Sequence, residues 1–212
     1  MHHSIINLVS IQNTLKIDNT NIIAVSKTFP ISEILPLIEH KQIHFGENKV
    51  QEAIEKWTKI KQDFKHIKLH MIGKLQTNKV KFAVQLFDYI HSLDNLKLAK
   101  KIFEEQDKIK KSLKIFIQVN IGNEEQKNGI KMEDLEDFHK KCIFDFNLNI
   151  VGLMCLPPKD TNSKEYFLTM KNLAKKLNVQ ELSMGMSSDY LQAAKSGATF
   201  VRIGSKIFGS RD

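Results

Sequence analysis

The sequence predicts an α/β fold, and specifically a single-domain (β/α)8 TIM barrel. Short apolar runs alternate with helical stretches along the whole chain, a pattern typical of a parallel sheet covered on both faces. Eight such runs, evenly spread over 212 residues, favour a closed barrel over an open doubly wound sheet. No glycine triplet of the dinucleotide-binding type follows an early strand, so a Rossmann fold has little support.

Each predicted element is a run of one periodicity bounded by turn residues. The predicted strands lie at 21–26, 43–45, 68–72, 86–91, 113–121, 148–155, 180–184 and 199–203. The predicted helices lie at 4–16, 31–40, 49–60, 77–85, 95–108, 132–143, 164–177 and 190–195. Only Ser205 to Arg211 follows the last strand as a helical turn, so we expect the N-terminal helix to cover the barrel wall there.

Composition indicates one globular domain spanning residues 1–212, with a sizeable core. The hydrophobic share is 42%, no apolar run approaches the length of a membrane span, and the N-terminus lacks a signal-peptide pattern. Cys142 and Cys155 are too few for a disulfide framework or a zinc cluster. The sequence therefore predicts a cytoplasmic protein without a membrane partner or a bound metal.

The formal net charge of +8 comes mostly from lysine, which raises the question of nucleic-acid binding. The lysines are scattered along the predicted helices, as on a solvated helix face, and no aromatic-rich strand motif accompanies them. We therefore predict no nucleic-acid partner, although a phosphate-bearing ligand would also suit such a surface.

The last thirty residues predict a phosphate site. The segment Met186-Ser187-Ser188-Asp189 offers hydroxyls and a helix cap after one strand, and Gly204-Ser205 opens a helical turn after the next. Backbone N–H groups at such turns bind phosphate, and in barrels of this kind phosphate sites follow strands seven and eight. The alternative is an ordinary βαβ unit with no ligand.

Lys27 is the first candidate for chemistry because it terminates an otherwise apolar strand. Desolvation there lowers an ammonium's pKa, and a free amine beside a phosphate cradle is the minimal equipment for a Schiff base with pyridoxal phosphate (PLP). The alternative is a strand-end lysine that is salt-bridged or reaches solvent.

Arg202 is the second candidate, since strand alternation points it and Gly204 towards one face. Its guanidinium needs an acceptor, and a pyridine ring nitrogen could be one. Such a contact would leave the ring nitrogen unprotonated and weaken the ring as an electron sink. The alternative is an arginine paired with a buried Asp or Glu.

Motifs in the same order along almost the whole chain resemble the pyridoxal phosphate homeostasis proteins. They are Ala24-Val-Ser-Lys27-Thr, Phe45-Gly-Glu-Asn48 with Gln51-Glu52, His70-Met-Ile-Gly73-Lys-Leu-Gln76-Thr-Asn78-Lys79, Gln118-Val-Asn120, Lys127-Asn-Gly129, Gly152-Leu-Met154, Leu182-Ser-Met-Gly-Met-Ser187-Ser-Asp189 and Val201-Arg-Ile-Gly204 through Ile207-Phe-Gly209-Ser-Arg211. The resemblance implies a barrel of the alanine racemase N-terminal-domain type.

The resemblance also implies how PLP is held. It implies a Schiff base on Lys27 and a phosphate bound by Ser187, Gly204 and Ser205. Further positions that match the family place Arg202 near the pyridine nitrogen, and Asn48 and Met184 close to the ring. One departure is Lys49, where the family commonly has tyrosine, so no role is assigned to that side chain.

Three functions compete at this stage. The first is a monomeric PLP carrier or buffer that supports amino-acid balance, has no robust turnover and hands PLP to apo-enzymes. The second is an active PLP enzyme such as a racemase or decarboxylase; two-sided racemisation usually needs a second base, which in alanine racemases a C-terminal domain supplies. The third is a basic interaction module, which the scattered lysines disfavour. We therefore expect a carrier without catalytic residues.

Overall fold

The strands form a closed parallel barrel in the computed structural model, which describes residues 2–15, 20–158 and 162–209. Each strand pairs with the next along the chain, and the eighth closes the sheet on the first. The strands are β1 Asn21–Val25, β2 His44–Glu47, β3 Lys68–Met71, β4 Tyr89–Leu93, β5 Lys114–Val119, β6 Ile150–Cys155, β7 Glu181–Ser183 and β8 Phe200–Ile203. The predicted (β/α)8 fold is confirmed.

Helices surround the barrel in the order that the sequence predicts. They are α1 His3–Thr14, α2 Ile31–Glu39, α3 Val50–Asp63, α4 Val80–Leu86, α5 Leu96–Ile109, α6 Leu135–Phe144, α7 Ser163–Lys176, α8 Tyr190–Lys195 and α9 Ser205–Phe208. Short 3-10 turns at Thr77–Lys79 and Met132–Asp134 precede α4 and α6. Among the described helices, none combines the length and the apolar character that crossing a bilayer requires.

The fourth strand differs from its prediction, because it begins at Tyr89 rather than at residue 86. Leu86 completes α4, and the carboxylate of Asp88 accepts the Leu69 N–H at 2.8 Å and pairs with Lys61 at 2.6 Å. These contacts make 87–88 a connection between α4 and β4, although Phe87 extends the apolar residues at the end of α4. The predicted helix end at residue 16 and the turn residues 210–211 lie outside the described residues.

The N-terminal helix covers the barrel wall beside the short α9, as expected. Leu8 and Ile11 bury their side chains there, and the Asn7 side-chain amide donates to the Ile207 carbonyl at 3.0 Å. Burying a large aliphatic side chain contributes about 1.5–3 kcal/mol, so this packing fixes the helix that follows β8.

The core has two parts, one between the sheet and the helices and one inside the barrel. The outer part includes the fully buried side chains of Phe45, Trp57 and Phe87. The inner part is the cluster Ile23, Tyr89, Phe116, Met154 and Phe200. The buried side chains of His70 and His91 contact the rings of Tyr89 and Phe116 in this inner cluster.

Candidate functional site

A cavity of about 670 Å³ opens where the strands end, which is the functional face of such barrels. Its wall consists of Val25, Lys27, Asn48, Ile72, Leu156, Met186, Ser187, Ser188, Arg202, Gly204 and Ser205. The predicted site residues on this wall are Lys27, Asn48, Ser187, Arg202, Gly204 and Ser205. Met184 does not line the cavity, because its side chain is fully buried in the core.

Lys27 stands two residues beyond the end of β1, and the turn that follows it is strained. Thr28 has a φ of 68°, a left-handed conformation that β-branched residues rarely adopt. Its N–H donates to Glu52 Oε1 at 2.5 Å, and the same carboxylate pairs with Lys56 at 2.9 Å. Burial alone would raise the pKa of Glu52, but the hydrogen bonds from Lys56 and Thr28 outweigh it and lower that pKa. An ionised Glu52 therefore holds the turn beside Lys27.

A buried carboxylate joins the two strands that precede Lys27 and Asn48. Glu47 Oε1 accepts hydrogen bonds from Ser26 Oγ at 2.7 Å and Trp57 Nε1 at 2.9 Å, and it pairs with Lys56 Nζ at 2.7 Å. Ser26 and Glu47 each stand one residue before a cavity residue, so the network fixes both residues on the wall.

Asn48 is held from the other side by the end of β3. The Ile72 N–H donates to the Glu47 carbonyl at 2.9 Å. A Cβ at Gly73 would collide with the backbone of Asn48, so only glycine allows these two backbone segments to approach this closely.

The hydroxyl-rich wall comes from two turns, after β7 and after β8. Gly185 has a φ of 87°, its carbonyl accepts the Arg202 N–H at 2.9 Å, and the Met186 N–H donates to Asp189 Oδ1 at 2.7 Å. Ser187 and Ser188 follow this turn, and they line the cavity together with Ser205, the first residue of α9. The first N–H groups of a helix have no partner within the helix, so Ser205 offers both a hydroxyl and an N–H to an anion.

Arg202 forms the floor of the cavity and is almost completely buried. Its Nη1 donates to the Ser183 carbonyl and to Ser183 Oγ, both at 2.7 Å, and its Nη2 donates to the Cys155 carbonyl at 2.8 Å. Burial lowers the pKa of this guanidinium. Among the ion pairs of the described residues, none involves Arg202. The predicted alternative, a buried Asp or Glu partner, is therefore wrong for the described part of the chain.

Other cavity residues were not assigned a role from the sequence. Ser188 lies in the segment predicted to carry the phosphate site, and its place beside Ser187 was the available signal. Ile72, Leu156 and Met186 are apolar and follow strands β3, β6 and β7, and nothing in their residue type marks them as site residues. Lys49 lines a neighbouring groove instead of this cavity.

Comparisons with known proteins identify a family and several similar proteins. The family described as alanine racemase, N-terminal domain, matches residues 5–212. A pyridoxal phosphate homeostasis protein of Haemophilus influenzae is 37% identical over 211 residues, which cover 95% of this chain and 87% of that protein. PipY of Synechococcus elongatus, solved without PLP and with PLP bound, gives TM-scores of 0.90 and 0.88 at 34% identity, with 96% of this chain and 98% of PipY covered.

Proposed function

We propose a function for this chain that starts from its family. The chain belongs to the alanine racemase N-terminal domain family and, within it, to the pyridoxal phosphate homeostasis proteins. The chain binds PLP and serves PLP homeostasis. In this proposal it carries or buffers PLP inside the cell, supports amino-acid balance, and releases the cofactor to apo-enzymes that require it.

The cavity residues fit PLP group by group. The hydroxyls of Ser187 and Ser205 and the first N–H groups of α9 suit a phosphate, which accepts charge-assisted hydrogen bonds. The apolar side chains Val25, Ile72 and Leu156 suit the faces of an aromatic ring. Lys27 and Arg202 line the same cavity as these hydroxyls and apolar side chains. The presence of all four kinds of group in one cavity is the observation that carries the proposal.

Lys27 is the proposed attachment point. When bound, PLP supplies an aldehyde that condenses reversibly with a primary amine and a ring that withdraws electrons. In this proposal the strained turn at Thr28 and the Ser26–Glu47 contact limit the positions that Lys27 can take. Attachment at Lys27, with loss of one water, would retain PLP, and hydrolysis of that bond would release it.

The hydrogen bonding of Arg202 favours a protein that carries PLP over an enzyme that uses PLP for catalysis. A guanidinium can only donate, so a ring nitrogen beside it would accept and remain unprotonated. The described contacts use both Nη1–H groups and one Nη2–H, which leaves Nε–H and one Nη2–H for such an acceptor. An unprotonated ring stabilises negative charge on a substrate poorly, so we infer no robust catalytic activity.

Tyr166 on α7 is not placed to act as a second base. Its side chain packs against the outer core and does not line the cavity.

In this proposal the protein acts as a cytoplasmic monomer. Cys142 and Cys155 are buried thiols, and burial raises the pKa of each to about 12, which suits a reducing cytoplasm. We infer a monomer, because the described residues that suit the phosphate, the ring and the aldehyde of PLP already meet within a single barrel.

A transfer experiment tests the carrier function. The protein is loaded with PLP, freed of unbound PLP by gel filtration, and mixed with the apo-form of a PLP-dependent enzyme, whose activity is followed. We expect the enzyme to regain activity in proportion to the PLP loaded. Wild-type protein that binds PLP but restores no activity would contradict carriage and leave only storage.

A further inference from the structure

A column of three histidines runs through the barrel interior towards the cavity floor. His44 Nδ1 lies 2.9 Å from His70 Nε2, and His70 Nδ1 lies 2.9 Å from His91 Nε2. His91 Nδ1 lies 2.9 Å from Ser183 Oγ, which also accepts from Arg202. We call His44, His70 and His91 the histidine column.

The strand register builds the column one layer at a time. Gly46, two residues beyond His44, pairs with His70, so His70 lies one layer nearer the cavity. Tyr89 pairs with His70, and His91 stands two residues beyond Tyr89, one layer higher again. His44 is partly exposed at the start of β2, whereas His70 and His91 are fully buried.

Aromatic rings clamp the two buried imidazoles. His70 stacks on Tyr89 with ring centroids 4.1 Å apart and an angle of 11° between the planes. His91 stacks on Phe116 at 4.2 Å and 22°. Such clamping holds each ring nitrogen in line with the next, so a hydrogen bond at one end constrains the proton positions along the whole column.

Ser183 sets the direction of the column. Its hydroxyl has one proton and is fully buried, and Arg202 Nη1 can only donate to its oxygen. If His91 also donated, the hydroxyl proton would have no acceptor among the described contacts, a cost of about 1–3 kcal/mol. If Ser183 donates to His91 Nδ1 instead, the hydroxyl proton has an acceptor and the oxygen still accepts from Arg202.

That single choice propagates to all three rings, because a neutral imidazole has one donor and one acceptor nitrogen. His91 carries its proton on Nε2 and donates to His70 Nδ1; His70 donates from Nε2 to His44 Nδ1. We propose that the histidine column positions Arg202 through this fixed order of tautomers. Because Ser183 donates its proton to His91 Nδ1, its oxygen is available to accept the hydrogen bond from the Arg202 guanidinium. His91 is therefore the positioning residue next to the site. The consequence for PLP rests on the proposed function.

The charges around the column favour neutral rings. Arg202 faces His91, whereas Lys61 and Lys114 face His70, and Lys68 and Lys114 face His44. Asp88 acts on His44 in the opposite direction and raises its pKa. Burial, aided by Lys68 and Lys114, lowers the pKa of His44 to about 4. Burial first, and then the neighbouring histidines together with these cations, holds the pKa values of His70 and His91 well below their ordinary value.

The first test is long-range 1H–15N NMR of the histidine rings in protein without PLP. We expect His44, His70 and His91 each to show the neutral Nε2–H tautomer from about pH 8 to about pH 6, across the ordinary histidine pKa of about 6.5. A proton on Nδ1 of His91, or an imidazolium signal from that ring, would overturn the proposal.

The second test compares His91→Asn with His91→Leu, two side chains of similar shape. Asparagine can keep an acceptor oxygen for the Ser183 hydroxyl, whereas leucine cannot. We expect the Arg202 guanidinium N–H signals to remain in slow exchange in wild type and His91→Asn and to broaden in His91→Leu. PLP affinity should fall roughly fivefold in His91→Leu and recover in His91→Asn, as expected for one neutral hydrogen bond.

These readouts separate the two hypotheses. Wild-type protein that fails to bind PLP would refute the proposed function, while the guanidinium signals would still decide the positioning role. Equal guanidinium signals in folded His91→Leu and wild type would refute that role even if PLP binds normally.

Discussion

The hydroxyl of Ser26 donates a 2.7 Å hydrogen bond to Glu47 Oε1, and this contact ties together the strands that deliver Lys27 and Asn48 to the cavity. Glu47 is fully buried and is also paired with Lys56. The charged side of the proposed PLP site therefore depends on a polar network in the barrel wall, outside the cavity itself.

Glu47→Gln should destabilise the protein. The substitution removes the charge that Lys56 pairs with, and a hydrogen bond to a charged group contributes about 1.5–3 kcal/mol. We expect the free energy of unfolding, measured by urea denaturation, to fall by about that amount. The matched control is Glu55→Gln on the exposed side of α3, the helix that carries Lys56, and it should change this free energy by less than about 0.5 kcal/mol. Equal effects of the two substitutions would refute the role of the Glu47 network.

The hydroxyl-rich wall formed by the turns after β7 and β8 predicts that the protein discriminates between PLP and pyridoxal. Ser187→Ala combined with Ser205→Ala should weaken PLP binding by well over tenfold, because each charge-assisted hydrogen bond contributes about 1.5–3 kcal/mol. Pyridoxal, which has no phosphate, should bind the double variant and the wild type alike. Spectroscopic titration measures both ligands, with exposed Ser112→Ala as the control. If wild-type protein bound pyridoxal as tightly as PLP, the phosphate assignment would fail.

The histidine column predicts how stability depends on pH. The folded state keeps these rings neutral because their pKa values are lowered, whereas the unfolded chain takes up protons below its pKa of about 6.5. The unfolded state then binds more protons, so the free energy of unfolding should decrease as the pH falls from about 6.5 to about 5.

His70→Asn should reduce that slope by up to about 1.4 kcal/mol per pH unit, the contribution of one proton. Urea denaturation at several pH values measures the slope, and Tyr89→Phe in the same layer serves as the control that leaves all three histidines in place. A folded His70→Asn variant with the wild-type slope would show that His70 is not a buried neutral ring.

Arg202 leads to a prediction about chemistry. If the ring nitrogen of PLP accepts from this guanidinium, as proposed, exchange of an amino acid's α-proton should be negligible, because the described residues of the cavity wall offer no second base beside Lys27. The test is incubation of the PLP-loaded protein with alanine and other amino acids in D2O, followed by mass spectrometry and chiral analysis. Deuterium incorporation or loss of optical purity at enzymic rates, abolished by Lys27→Ala, would show catalysis and refute the carrier-only view.

The sequence predicts the barrel well because alternating periodicities and turn residues are local properties. The fourth strand is misplaced because Leu86 and Phe87 continue an apolar run that looks the same at the end of a helix and at the start of a strand. Lys27, Ser187 and Arg202 can be proposed from strand ends and from the family resemblance.

The contacts within the site require three-dimensional register. His44, His70 and His91 lie on separate strands, and their hydrogen bonds arise only when β2, β3 and β4 are staggered around the barrel. The neutral oxygens that Arg202 contacts also lie on other strands, β6 and β7. Sequence reasoning assigned Arg202 a carboxylate or a ring nitrogen because residue type alone favours strong acceptors.

The central claim is that Lys27 holds PLP covalently. The most direct test is borohydride reduction of the PLP-loaded protein, which fixes any imine bond, followed by peptide mapping by mass spectrometry. We expect one pyridoxyl group per chain on the peptide that contains Lys27, and its loss in Lys27→Ala with some non-covalent PLP retained. A pyridoxyl group on Lys74 or on Lys206, with Lys27 unmodified, would contradict the account.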